Sequence, residues 1–312
     1  MTLPWIQAIR PKTLWAGFAP VLIGAALAFA ESALNWLFAA LCLLFALALQ
    51  IGCNLANDYF DAKKGADTPD RLGPVRVTQS GLISPAAVRR AAGLCFGIAS
   101  LIALAMIQRG GLPVVIILVT AVITAICYTG GPFPLGYNGL GDVAAFIYFG
   151  PVAVGGTHYI MTDSWSTDAI IAGFGPGFLS VAILTVNNLR DLETDLAAHK
   201  RTLIVMWGRT YGRIHYTVAL IAAALVPVVL ILRSGSHHAV AIASLACVLA
   251  IVPLVRAVWR ETGRPLNQTL GATARLLLVY SILFAVGWNL PRATSSATNS
   301  PPEFLQPANP GS

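Results

Sequence analysis

The chain is short of charge. Only 11% of its 312 residues are Asp, Glu, Lys or Arg, against about 25% in a soluble globule. That excludes an ordinary water-soluble domain and makes length-based domain counting inapplicable. Cysteine is also sparse. Cys42, Cys53, Cys95, Cys127 and Cys247 all fall in apolar runs and form no CxxC pair, so they read as small buried hydrophobes rather than a disulfide or zinc framework. The five histidines show no metal-ligand spacing; His237 and His238 read as solvated, and His199, beside Lys200, is at most an anion contact. No nucleic-acid motif accompanies the net charge of +7. The short alternating strands of a membrane β-barrel are missing too.

What remains is apolar sequence. Mean hydropathy is +0.72, and runs of about 20 apolar residues cross a bilayer as helices. Nine such runs are legible, near 13–30, 35–56, 86–107, 112–129, 140–161, 168–188, 214–232, 238–257 and 270–289. The expected fold is all-α, with nine transmembrane helices around a central cavity. The first run, behind Arg10 and Lys12 and ending Ala28-Phe29-Ala30, has a rival reading as a cleaved signal peptide. Its length, with Trp5 and Trp15 at the interface, favours a retained span. No Arg- and Ser-rich transit segment precedes it, so the expected location is a bacterial inner membrane.

The basic residues are one-sided. All 20 except Arg109, Arg233 and Arg292 fall at the N-terminus or in the loops after the second, sixth and eighth runs. By the positive-inside rule the N-terminus is cytoplasmic and the C-terminus outside. Lys63, Lys64, Arg89 and Arg90 read simply as topology determinants. Residues 1–290 form a single membrane domain. Residues 291–312, rich in Pro, Ser, Thr and Asn, read as a disordered tail. Ser84-Pro85 reads as an N-cap with proline at N1, and 130–134 as a tight uncharged turn.

Against this background two clusters stand out: Asn54-Leu55-Ala56-Asn57-Asp58-Tyr59-Phe60-Asp61 and Asn187-Asn188-Leu189-Arg190-Asp191-Leu192-Glu193-Thr194-Asp195. Each ends an apolar run and opens a basic loop. Carboxylates at membrane depth are costly and mark function by default. At about 100° per residue, Asn54, Asp58 and Asp61 share an arc of roughly 60°, with Asn57 flanking it. Asn188, Asp191 and Asp195 share another, and Glu193 points off it as a solvated carboxylate. Four facing aspartates would repel, so a cation must lie between them. An all-oxygen donor set favours a hard ion such as Mg²⁺, which uses one or two carboxylates plus substrate phosphates. Arg76, Lys200 and Arg201 follow at distances from which a loop can fold back, and such cations clamp phosphate oxygens. The whole reads as a diphosphate box on the cytoplasmic side. The similar ends of the second and sixth runs also suggest two related halves.

These words resemble the UbiA superfamily of intramembrane aromatic prenyltransferases, and within it the menaquinone branch that prenylates 1,4-dihydroxy-2-naphthoate. The matching stretches are Arg10-Pro11-Lys12-Thr13-Leu14, residues 54–74, Gly136-Tyr137-Asn138-Gly139-Leu140-Gly141-Asp142, residues 187–195 and Lys200-Arg201-Thr202-Leu203. One departure is Ala198-His199, where the resemblance leads one to expect glycine next to the lysine. The resemblance implies Mg²⁺ on Asn54, Asn57, Asp58, Asp61, Asn188, Asp191 and Asp195. It implies a polyprenyl diphosphate neutralised by Lys12, Arg76, Lys200 and Arg201, and a naphthoate acceptor. Tyr128 would support an allylic cation through its ring face, and Asp142 would orient an acceptor hydroxyl or take its proton. The polyprenyl tail would lie among apolar helices, open to the lipid bilayer. Two alternatives stay open: another acceptor such as 4-hydroxybenzoate, and an ion-coupled transporter, whose sites lie nearer the bilayer midplane.

Overall fold

The computed structural model describes residues 3–66 and 72–290; the expected disordered tail lies outside them, as does Arg71 of the first basic loop. Eleven α-helices, with three short 3-10 turns between them, form the described fold: α1 Leu3–Ile9, α2 Trp15–Ala30, α3 Trp36–Lys63, α4 Pro85–Cys127, α5 Gly141–Tyr148, α6 Pro151–Thr162, α7 Thr167–Arg190, α8 Leu192–Ala197, α9 Leu203–Ser234, α10 Ala241–Arg260 and α11 Leu266–Asn289. No strand occurs among the described residues, only an isolated bridge between Asn138 and Arg201.

Helix starts follow local chemistry. The Asn35 side chain accepts hydrogen bonds from the Leu37 and Phe38 amides. Ser84 accepts from the Ala87 amide with Pro85 at N1, as the Ser-Pro pair implies. Ser166 and Thr202 cap α7 and α9 the same way.

Seven helices are long and apolar enough to cross a membrane, or eight if the bent pair α1–α2 is one span. The expected count of nine differs at one place. The runs 86–107 and 112–129 belong to a single element, α4. A straight helix of its 43 residues would be about 65 Å long, twice the hydrocarbon thickness of about 30 Å. It is not straight. Gly111 sits at φ 54°, ψ −145°, open to glycine and strained for any other residue. Beyond it the chain returns, so that Ile126 shares a crevice with Arg89, Gly93 and Phe96. The expected run 140–161 is likewise interrupted, at Gly150 between α5 and α6.

Besides a small cluster of Leu55, Ala56, Val77 and Val88, where α3 meets the first loop and the start of α4, the core has two main parts. The larger packs α2, α6 and α7 against α9, α10 and α11 around Ile23, Leu179, Tyr216, Leu220, Tyr280 and Phe284. The smaller joins α2, α3, both arms of α4 and α6 around Cys42, Met106, Val114 and Ile160. Leu44, Leu101, Leu112, Leu232 and Leu249 point outward, as lipid-facing residues do. A cavity of about 330 Å³ opens between the two parts, walled by α2, α3, α4, α5, α6 and α7.

Candidate functional site

The cavity has a polar mouth and an apolar depth. Asn54, Asn57, Asp61, Arg76, Asn187, Asn188 and Lys200 line the mouth; Cys42, Ala103, Met106, Val114 and Ile160 lie at the far end. The two clusters therefore do come together at one end of the bundle. What they do there is unequal.

In the first cluster α3 runs unbroken through Lys63, so the helical phase holds. Asp61 faces the cavity. It accepts a hydrogen bond from the Tyr137 hydroxyl at 2.8 Å and pairs with the Arg76 guanidinium at 3.0 Å. Both members of that pair are buried, so the first basic loop does fold back over the cluster. Asn54 donates its amide nitrogen to the Ile9 carbonyl and the Thr13 hydroxyl, which leaves the amide oxygen to offer to the cavity. Asn57 accepts from the Thr129 hydroxyl at 2.8 Å. Asp58 turns the other way. Its carboxylate accepts the backbone N–H groups of Val77 and Thr78 at 3.2 and 2.9 Å, pinning the loop that carries Arg76. It is 1% exposed and does not line the cavity.

In the second cluster the single continuous stripe does not form. Helix α7 stops at Arg190, Asp191 leaves helical geometry at φ −94°, ψ 8°, and α8 restarts at Leu192. Asp191 is gripped by its own neighbour: the Arg190 Nε donates at 2.8 Å and a second guanidinium nitrogen completes a bidentate pair. Arg190 also donates to Asn187 and Asn267. Asn267 in turn donates to the Leu72 carbonyl. Gly73 packs flat on this guanidinium, where a Cβ would fall 2.7 Å from it. Arg190 thus clasps the end of α7, the first loop and the start of α11. Asp195 faces Lys200 at 3.4 Å. Asn188 lines the cavity, but Asp191 and Asp195 do not. Glu193 is exposed and pairs with Arg209.

Among the described residues no three His, Cys, Asp or Glu side chains converge as a metal cage. Asp58 and Asp191 already have internal donors, so the expected four-carboxylate set is not assembled. A thinner set is present: the Asp61 carboxylate with the asparagine amides of Asn54, Asn57 and Asn188. It suits an ion held mainly by substrate phosphates.

Of the remaining expected residues, Lys12, Tyr128 and Asp142 line the cavity. The Asp142 side chain is 6% exposed, and its Oδ1 has no hydrogen-bond partner among the described residues. Arg201 does not reach the cavity. Its side chain is exposed, and its backbone N–H donates to the Tyr137 carbonyl at 3.1 Å.

Charge pattern and helical phase missed Tyr137 and Lys64. Tyr137 sits in the turn after α4 and touches Asp61 of the first cluster and Lys200 and Arg201 of the loop after the second. Lys64, taken for a topology residue, donates to the Thr129 carbonyl and places its Nζ 4.3 Å from the Tyr137 ring centre. Partial desolvation draws its pKa down and the nearby Asp61 charge opposes the shift. Arg10, at φ 56°, also lines the cavity. The only signal for Tyr137 and Arg10 was their place inside recognisable words; Lys64 had none beyond its charge.

Comparison with known proteins finds likeness over most of the chain. The chain matches the UbiA prenyltransferase family model over residues 17–282. It is 35% identical over 301 residues to the 1,4-dihydroxy-2-naphthoate octaprenyltransferase of Escherichia coli, covering 92% of this chain and 95% of that one. It is 33% identical over 296 residues to the Haemophilus influenzae protein of the same name, covering 91% and 94%. Among solved structures it is similar to a UbiA homolog from Archaeoglobus fulgidus bound to DMAPP and Mg²⁺, with a TM-score of 0.66 at 14% identity, over 90% of this chain and 99% of that one. The last likeness concerns the fold.

Proposed function

Since the chain belongs to the UbiA prenyltransferase family, we propose that it transfers a polyprenyl group from an allylic diphosphate to 1,4-dihydroxy-2-naphthoate, releasing diphosphate and CO₂ and giving demethylmenaquinol. The observation that carries this reading is the cavity itself: the Asp61 carboxylate, several amides and several cations at the mouth, Asp142 also on the wall, and apolar walls below. Such a space holds a diphosphate head and the start of an isoprenoid tail. The named relatives, alike over nearly their whole length, support the naphthoate as acceptor.

The chemistry follows from that placement. Arg76, Lys200 and Lys12 neutralise the diphosphate, and Arg201 guards the rim outside the cavity. The allylic C–O bond breaks and its electron pair leaves on the diphosphate oxygen, charge that preorganised cations stabilise. Mg²⁺, when bound, adds Lewis-acid neutralisation of the leaving group. Asp61 with Asn54, Asn57 and Asn188 would hold it at the mouth. Asp58, Asp191 and Asp195 would join only by giving up donors they now hold. The apolar depth keeps water from the allylic cation, and the Tyr128 ring stabilises it. The naphthalene carbon bearing the carboxylate attacks, and loss of CO₂ restores aromaticity. Asp142, which lines the cavity and has a buried oxygen without a hydrogen-bond partner among the described residues, orients an acceptor hydroxyl or takes its proton. In this reading the chain sits in a bacterial inner membrane with the cavity mouth cytoplasmic, and the two arms of α4 cross separately, making nine crossings.

The test is an assay of purified full-length protein with Mg²⁺, farnesyl diphosphate and 1,4-dihydroxy-2-naphthoate. Prenylated naphthalene and CO₂ should appear in equal amounts. Product from 4-hydroxybenzoate alone would move the acceptor to a phenol. Absence of diphosphate release with every acceptor would sink the enzyme reading.

A further inference from the structure

Tyr137 links the first cluster to the loop that follows the second, through its hydroxyl, its ring and its carbonyl. Its hydroxyl donates to Asp61 at 2.8 Å. Its ring lies under two ammonium groups, Lys64 at 4.3 Å and Lys200 at 5.7 Å from the centroid. Its carbonyl accepts the Arg201 amide. Lys64 follows the first cluster and Lys200 the second, so one ring gathers a cation from each. Two ammonium groups this near one another repel. An aromatic face, whose quadrupole attracts cations, offsets that repulsion and fixes where both point. Lys64 is held further by the Thr129 carbonyl, and Thr129 donates to Asn57, so the arrangement closes on the polar mouth of the cavity.

We propose that Tyr137 is a positioning residue with two separable duties: its ring holds Lys64 and Lys200 ready for the departing diphosphate, and its hydroxyl orients Asp61. This rests on the reading of the cavity mouth as a diphosphate site. Neither Tyr137 nor Lys64 lines the cavity itself, so Lys64 then meets the diphosphate from the rim of the mouth rather than serving only as a topology residue. Neither duty needs the acceptor ring.

Inorganic diphosphate is the probe, titrated with Mg²⁺ into full-length detergent-solubilised protein by calorimetry, beside steady-state assays. Tyr137→Phe keeps the ring and loses the hydroxyl. It should bind diphosphate within about twofold of wild type while kcat falls several-fold. Tyr137→Leu loses both, and diphosphate affinity should fall roughly tenfold, with KM for the prenyl diphosphate rising in step. KM for the naphthoate should stay unchanged in both. Lys64→Gln should weaken diphosphate binding, and adding it to Tyr137→Leu should cost less than the two effects combined. Wild-type diphosphate affinity in Lys64→Gln, or in folded Tyr137→Leu, overturns the proposal and leaves the prenyltransferase reading standing. Should Tyr137→Leu fail to fold, the Tyr137→Phe and Lys64→Gln arms decide. If the wild-type protein binds no diphosphate and forms no product, the functional reading fails and this one with it.

Discussion

The two carboxylate clusters look like copies in sequence and behave differently in the fold. The first lies on an unbroken helix and reaches partners far along the chain: Val77 and Thr78 for Asp58, Arg76 and Tyr137 for Asp61. The second lies across a break and finds its partners next door, Arg190 for Asp191 and Lys200 for Asp195. The first cluster therefore presents a carboxylate to the cavity, while the second presents amides, with Lys200 of the following loop beside them. Matched spacing marks where polar groups must be buried. What packs against them decides which are free to meet a ligand.

The largest expected effect tests whether the difference survives a bound metal. Chelation with EDTA should remove essentially all turnover and added Mg²⁺ should restore it; full activity in chelator would leave both clusters without a metal role. Next, Asp61→Asn should lower kcat by about 10²-fold or more; the unfolding midpoint should fall as well, because the buried Arg76 guanidinium loses its carboxylate, but loss of turnover is its leading effect. Asp191→Asn should behave oppositely in emphasis. It strands the buried Arg190 guanidinium, an unpaired charge that costs about 3–5 kcal/mol, so thermal stability should fall clearly. If Asp191→Asn unfolds like wild type yet loses activity as Asp61→Asn does, the two clusters are equivalent and the asymmetry is lost.

Much of this was legible beforehand. Apolar runs gave the helices, Ser84-Pro85 gave the start of α4, and the basic words gave Arg76 and Lys200 over the site. The rest was hidden for definite reasons. Helical phase assigns a face but not a partner, so the backbone amides that take Asp58 were invisible. It also assumes a continuous helix, which Asp191 interrupts. A hairpin tight enough to hinge on one glycine reads, by hydropathy, as two runs and, in the fold, as one interrupted helix. Tyr137 carries no charge, so a search led by charge passed over it.

The smallest effect probes the second cluster's loop, where the chain departs from the pattern it resembles. His199 occupies the place expected for glycine, and it adopts φ 53°. A Cβ in that left-handed region costs about 1–2 kcal/mol. Glycine relieves this but gives the unfolded chain about 0.4–1 kcal/mol more freedom to lose. His199→Gly should therefore stabilise by roughly 0.5–1 kcal/mol on balance, seen as a rise in unfolding midpoint. The His199 side chain is exposed and lines no part of the cavity, so kcat and KM should hold. A lower midpoint would mean that the imidazole makes a contact worth more than the strain. A fall in diphosphate affinity would mean instead that the strained residue holds Lys200 against Asp195, and that the local pairs of the second cluster depend on this backbone strain.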